Sequence, residues 1–336
     1  MLSAACILFL GLIGSLLYFI DFRKEKIMPA QEVGFKSRSF PGTSQYWERE
    51  EEYPFRIEAA VNLWQALNLP TNYIYTNKNS GITSPINGKA KGISFPWSFG
   101  FTLGLGKRLF STDWILEANY TYFRSTGSDS QSVSTSGALI PLKGVGLIGE
   151  SVSSAISKYN ILFNELRFYL DKPINFPKTV LFSTTLGLQT SWLKLKQTSS
   201  YDDDFTVYDK STSWGIGPEL GFDTKWLFYN FFYLKGALLG ALQYRQGNSV
   251  YSEAEIYMKE KLHYLSPIID FNIGLGIANY LFSDRIFLAL ELLYDLNYYF
   301  NQDQMFSVSQ SSSPRFEPIG KDLGFQGFTL KAKLSF

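Results

Sequence analysis

From Phe55 to the last residue, apolar and polar positions alternate with period two over runs of ten or more residues. Such runs exceed most strands of water-soluble proteins and predict long β-strands with two unlike faces. Ile93, Phe95, Trp97, Phe99, Phe101, Leu103 and Leu105 alternate with Ser94, Pro96, Ser98, Gly100, Thr102, Gly104 and Gly106. The pattern recurs from Trp214 to Trp226 and from Ile286 to Tyr298. Ten segments qualify: 55–65, 92–106, 113–123, 159–170, 180–193, 212–226, 228–245, 262–278, 285–299 and 323–336. Long polar links (66–91, 124–158, 194–211, 246–261, 300–322) take turns with short ones (107–112, 171–179, Leu227, 279–284). This predicts an all-β fold, a transmembrane antiparallel up-and-down β-barrel with short periplasmic turns and long outer loops. Residues 72–77 and 137–149 leave room for extra strands, so the expected count is ten, extending to fourteen.

The chemistry of the two faces predicts the surroundings. The minor face carries mostly Gly, Ser, Thr and charges, too small and polar to build a core, so the apolar face is expected to meet lipid. Trp114 and Trp226 lie at short-turn ends and Trp192 and Trp214 at long-loop ends, as two interfacial girdles require. The alternative for these rings is the core of a soluble sandwich. The last segment puts Phe328, Leu330, Ala332, Leu334 and Phe336 on one face. Closing on Phe336, it resembles the assembly signal of bacterial outer-membrane barrels, which implies the barrel-assembly machinery as a partner. The same resemblance implies that this strand pairs with the one near Phe55 and removes the sheet edges.

Residues 2–20 form an uncharged apolar run followed by Asp21, Arg23, Lys24, Glu25 and Lys26. An export signal over residues 1–30 and a retained helical anchor both fit, with the signal preferred. The basic residues follow the apolar run, and Met28, Pro29 and Ala30 make a poor cleavage site; a start codon placed too late accounts for both. Leu2 to Cys6 loosely resembles a lipoprotein box, but it precedes any apolar core. Residues 31–54 read as a periplasmic tail, with residues 55–336 as the barrel.

The 336 residues have a mean hydropathy of −0.06, too polar for a polytopic helical membrane protein. Lys and Arg number 31 against 30 Asp and Glu, so no charge excess marks a nucleic-acid partner. Cys6 is the only cysteine and lies in the first apolar run, so the rest of the chain can form neither a disulfide nor a thiolate metal site, and with His263 the only histidine a histidine-cluster metal site is excluded. No cofactor is expected. The pattern Gly100 to Gly106 lies in a strand with no helix after it, so it is not a dinucleotide fingerprint.

Trp214-Gly215-Ile216-Gly217-Pro218-Glu219-Leu220-Gly221-Phe222, continuing to Trp226, and Leu234-Lys235-Gly236-Ala237-Leu238-Leu239-Gly240 resemble the major outer membrane protein family of Legionella and chlamydia-like bacteria. So do the Gly100 to Gly106 run leading to Asp113-Trp114, Leu262-His263-Tyr264-Leu265-Ser266-Pro267, and Leu323-Gly324-Phe325-Gln326-Gly327-Phe328. The resemblance spans residues 55–336. It implies a porin-like, surface-exposed protein of the bacterial outer membrane. The cysteines carried by some relatives are absent, which puts cross-linking into a network in doubt.

By parity the lumen charges are Arg56, Glu58, Glu117, Glu165, Arg167, Glu219, Asp223, Lys225, Lys235, Arg245, Asp270, Glu291, Asp295, Lys331 and Lys333, seven positive and eight negative. Either they line a water-filled channel of little charge selectivity, or they form ion pairs that fill the interior. Barrels of ~8 strands are filled by side chains and those of ~16 leave a channel. Ten strands lie nearer the closed limit. The expected function is passive diffusion of small hydrophilic solutes; the alternative is a closed structural or adhesive barrel whose outer loops bind host or envelope partners. Homo-oligomerisation stays open.

Ten-stranded surface proteases of the omptin kind also exist and use a His-Asp pair with an Asp pair at the outer rim. His263 lies near that rim and Asp202, Asp203 and Asp204 lie in an outer link, but Lys261 occupies the position where a neighbouring acid is needed. The protein is expected not to be an enzyme. The acidic run 48–52 reads as solvated tail, with a plug or peptidoglycan contact as the alternative. Residues 128–136 read as a flexible outer loop.

Overall fold

A sheet can keep strands of twenty residues in a wall only if every backbone group finds a neighbour, which a closed barrel provides. The computed structural model describes residues 53–77, 88–109, 114–133, 137–147, 150–175, 180–202, 204–229, 231–281, 286–309, 315–318 and 320–336. The expected export signal, and the tail with its acidic run apart from Tyr53 and Pro54, lie outside them. The strands in chain order are β1 (Phe55–Leu67), β2 (Ile74–Asn77), β3 (Gly88–Lys91), β4 (Ser98–Arg108), β5 (Ile115–Ser132), β6 (Ala138–Pro141), β7 (Ser154–Asn175), β8 (Val180–Tyr201), β9 (Phe205–Tyr229), β10 (Phe232–Glu253), β11 (Ile256–Leu281), β12 (Ile286–Asp303), β13 (Phe306–Ser309), β14 (Arg315–Pro318) and β15 (Lys321–Ser335). Ten of them close one antiparallel barrel, in the order β1, β15, β12, β11, β10, β9, β8, β7, β5, β4 and back to β1.

Closure joins the two ends of the barrel segment. Ala59 faces Ala332, and the backbones of Phe55 and Phe336 exchange two hydrogen bonds of 3.1 and 3.0 Å. Their rings stack at 6.2 Å. The stretches 72–77 and 137–149 do contain strands, β2 and β6, but these pair with each other and with β3 in a separate sheet, so the stave count stays at ten.

Each of the ten expected segments corresponds to one stave, but several outer links are strand for most of their length. β8 runs on to Tyr201 and β9 starts at Phe205; β10 reaches Glu253 and β11 starts at Ile256; β5 continues to Ser132, so much of the expected flexible loop is wall. The cause is a reversal of polarity with no change of parity. Below the Trp192 and Trp214 pair, Leu186, Leu188, Ile216 and Leu220 point outward and are exposed. Above it, Leu193, Leu195, Tyr201 and Val207 point inward and are buried, while Lys194, Lys196 and Lys210 take the outward positions. From Trp192 to Tyr201 is about 30 Å of strand at ~3.3 Å per residue. The wall therefore leaves the membrane as a water-facing crown with an apolar inside.

This corrects the expectation that the minor face cannot build a core. It holds no core at the level of the charges; above them, Trp64, Phe123, Phe163, Tyr299 and Phe325 belong to a buried cluster that continues into the crown. Residues 92–97 are a second correction: β4 begins at Ser98, and Ile93 and Phe95 turn inward to join that cluster. Pro96 has no N–H to give a ladder. The backbone is satisfied by side chains instead, with Gln65 donating to the Phe95 carbonyl (2.8 Å) and Thr71 to that of Ile93 (2.9 Å).

Candidate functional site

Followed from the periplasmic end upward, the interior is layered. Leu181, Tyr233, Phe287 and Ala289 form a small apolar ring near the short turns. Next comes the charged band. All fifteen charges face the interior, and thirteen of them, all but Arg245 and Glu291, line one cavity of about 200 Å³.

Most of these charges are engaged with one another. Arg167 sits among three carboxylates: Glu165 on its own strand at 2.6 Å, Glu219 on β9 at 3.5 Å, and Asp270 on β11, to which its Nη2 donates. Arg56 pairs with Glu117, Lys331 with Glu58 (3.2 Å), and Lys235 with Glu291 (2.9 Å) and Asp223 (3.8 Å). Arg245 is buried and makes no ion pair among the described residues; its guanidinium donates to Ser191 (2.7 Å), Gln243 (2.6 Å) and Ser213 (2.9 Å). Asp295 accepts from the Trp64 indole (3.0 Å) and from Thr329. Lys225 and Lys333 are buried in the same band. Two glycines make room for the large side chains: a Cβ on Gly215 would meet Arg245 at 2.5 Å, and one on Gly276 would meet the Tyr233 ring at 2.2 Å. That is a physical reason for the glycine and aromatic interleaving of these strands.

Above the band an aromatic layer crosses the lumen. Phe325 on β15 contacts Phe123 at 5.0 Å, Phe163 at 5.2 Å, and Trp64 and Tyr299 at 5.9 Å between ring centroids. Phe163 on β7 meets Tyr299 on β12 at 5.2 Å. Those two strands are five places apart in either direction around the ten-stranded ring, so side chains from opposite walls touch. The same pair of strands is joined by Tyr299 donating to Glu165 (2.9 Å) and Tyr159 donating to Asp303 (3.1 Å). Trp64, Phe123, Phe163, Tyr299 and Phe325 share their rows with Glu58, Glu117, Glu165, Glu291 and Lys331, so the signal was present in the sequence.

In the crown, Lys143 pairs with buried Asp209 (3.1 Å), and the Glu253 carboxylate accepts from the backbone N–H groups of Val145 and Gly146. Burial and the nearby Asp209 push the Asp303 carboxyl up to about 6. A carboxyl raised on folding favours the folded state fully below its unfolded value near 4, and that contribution is lost as pH rises through about 6. Asp303→Asn is therefore expected to be more stable than the wild type at pH 7.5, on the order of 3 kcal/mol, and to flatten the pH dependence between 4 and 7. Urea midpoints read by tryptophan fluorescence at pH 5 and 7.5 test this; a wild type firmer at 7.5 than at 5 would sink it.

Trp192 and Trp214 are register partners, each 42% exposed on the outward face. Trp226 is exposed near the periplasmic end of β9, and Lys172 lies over the Trp114 ring at 5.3 Å. His263 points out of the wall, its Nδ1 2.9 Å from the Tyr244 hydroxyl. Asp202 is held elsewhere. Against slight desolvation, hydrogen bonds from Ser153 and Ser154 keep its carboxyl below the usual range and tie the β8–β9 turn to the start of β7. The structure thus does not bring His263 and Asp202 together, and Asp203 lies outside the described residues. Among the described residues no group of three His, Cys, Asp or Glu side chains is placed to hold a metal ion.

No curated protein matches the sequence. Among solved structures, the chain is similar to the outer membrane protease OmpT of Escherichia coli, at 10% identity and a TM-score of 0.44 over 84% of this chain and 96% of that one. It is also similar to the Pseudomonas putida toluene transporter TodX, at 9% identity and a TM-score of 0.29 over 84% and 89%. A third is the translocator domain of the autotransporter NalP from Neisseria meningitidis, at 10% identity and a TM-score of 0.30 over 84% and 89%. Residues 49–336, which include every barrel strand, match the family described as the Legionella pneumophila major outer membrane protein precursor; the chain belongs to that family and is a β-barrel of the bacterial outer membrane.

Proposed function

We propose that this chain is a structural barrel of the outer membrane, closed to solutes at rest, whose contacts with host or envelope partners are made by the crown and loops above the membrane. The observation that carries this reading is the contact between Phe163 and Tyr299 across the barrel. A ten-stranded ring is close to the size that side chains fill, and here large rings from opposite walls meet above a band of paired charges. The second reading is passive diffusion of small hydrophilic solutes. It is favoured by the cavity of about 200 Å³ and its near-balanced lining, and it requires the aromatic layer to part.

The deciding experiment is single-channel recording of the refolded chain in a planar bilayer, after its heat-modifiable migration confirms folding. A silent, folded barrel is expected. Stable steps of uniform size from the wild type would reject the closed reading in favour of diffusion.

A further inference from the structure

The outward face of β7 to β11 changes character along four successive cross-strand rows. The first, Asn164, Trp192, Trp214, Gln246 and His263, is one continuous register row, and below it the outward residues are mostly apolar. The row above reads Leu162, Lys194, Thr212, Asn248 and Lys261; the next, Asn160, Lys196, Lys210, Val250 and Lys259; the next begins with Lys158. Six lysines thus stand on this face in the three rows above the tryptophans, Lys194 and Lys261 in the nearest, and among the described residues no Asp or Glu shares the outward positions of those rows. The exposed acids nearby, Asp202, Asp204, Glu255 and Glu260, lie in the β8–β9 and β10–β11 turns and on the alternate parity of β11. In a chain whose net charge is +1, this is strong segregation.

The first two rows enclose a groove of about 560 Å³. Trp192 and Trp214 form its lower wall, and Thr212, Gln246 and Asn248 its floor. Lys194 and Lys261 stand at its two sides, and neither makes an ion pair among the described residues. Exposed tryptophans mark the depth where hydrocarbon gives way to headgroups, so the lysines stand at headgroup depth. Lys194 and Lys261 are three strands apart, roughly 14 Å at the inter-strand spacing, the scale of a disaccharide bearing a phosphate at each end.

We propose that this groove binds a phosphorylated glycolipid of the outer leaflet, with Lys194 and Lys261 on its phosphates, the polar floor against its sugars, and the tryptophan pair against the start of its acyl chains. Neither lysine has a competing carboxylate on its own face, and a shallow apolar-to-polar step is what an amphiphile lying along a barrel wall requires. The site is independent of whether the lumen conducts.

The test uses the full chain refolded in detergent and titrated with fluorescent bisphosphorylated lipid A, read by polarisation. Saturable binding is expected, weakened by added salt and reduced tenfold or more in Lys194→Gln/Lys261→Gln. Lys89→Gln, on β3, should leave it unchanged. Heat-modifiable migration checks that each variant folds. Equal binding of lipid A lacking its phosphates would overturn the proposal, as would full binding by the double variant. Displacement by inorganic phosphate at concentrations equal to the lipid would also overturn it, by revealing a plain anion site.

Discussion

Phe163→Ala combined with Phe325→Ala is expected to turn a silent barrel into one that passes ions in discrete steps. Phe325 is the hub of the aromatic layer, touching Phe123, Phe163, Trp64 and Tyr299, while Phe163 reaches across to the opposite wall. Each truncation costs about 3–5 kcal/mol of packing. The backbone ladder and the Tyr299 to Glu165 bond are left in place, so the wall should survive. The space vacated borders the charged band, and a void with polar groups on one side hydrates. Conductance beside the wild type in one bilayer setup is the readout, with Phe325→Ser alone as the milder variant. A folded double variant that stays silent would mean that the seal lies elsewhere.

The second large effect is expected at Arg167. Its guanidinium stands between Glu165, Glu219 and Asp270. Replacing it by Met leaves three carboxylates facing one another inside a low-dielectric wall, and breaking a buried pair on one side costs about 3–5 kcal/mol. Arg167→Met should therefore lose its heat-modifiable form at lower temperature and lower urea than the wild type. Adding Glu165→Gln and Asp270→Asn should restore most of the loss, because two of the three carboxylates left without the guanidinium are then neutral and Glu219 has no like charge beside it. If the single variant is as stable as the wild type, the triad is hydrated, and the channel reading gains.

The ten staves and the inward positions of the charges can be read from period two, because each strand records its own two faces locally; the up-and-down order needs the alternation of long and short links as well, and the pairing of the last stave with the first rests on the resemblance of the segment ending at Phe336. The closing of the lumen cannot be read in this way. That Phe163 meets Tyr299 depends on β7 and β12 lying opposite each other, a property of stave number and stagger that no single segment contains. The crown is hidden in the sequence for a different reason. Leu193-Lys194-Leu195-Lys196 alternates as cleanly as the membrane segments, but its outward residues are the polar ones. An average over such a run resembles a loop, whereas parity carried through Trp192 does not. Residues 92–97 misled in the opposite way, since alternation persisted where Pro96 had already ended the ladder.

The reversal of faces at the Trp192 and Trp214 row places one set of strands in two solvents. In the crown, burial of Leu193, Leu195, Val207 and their neighbours is driven by water, weakens on cooling, and carries the positive heat-capacity change of unfolding that such burial brings. Within the bilayer no water presses the outer face inward, since acyl chains are as apolar as Leu220. Cooling is therefore expected to loosen the upper part of β7 to β11 before the lower, so that the temperature of greatest firmness differs along a single strand.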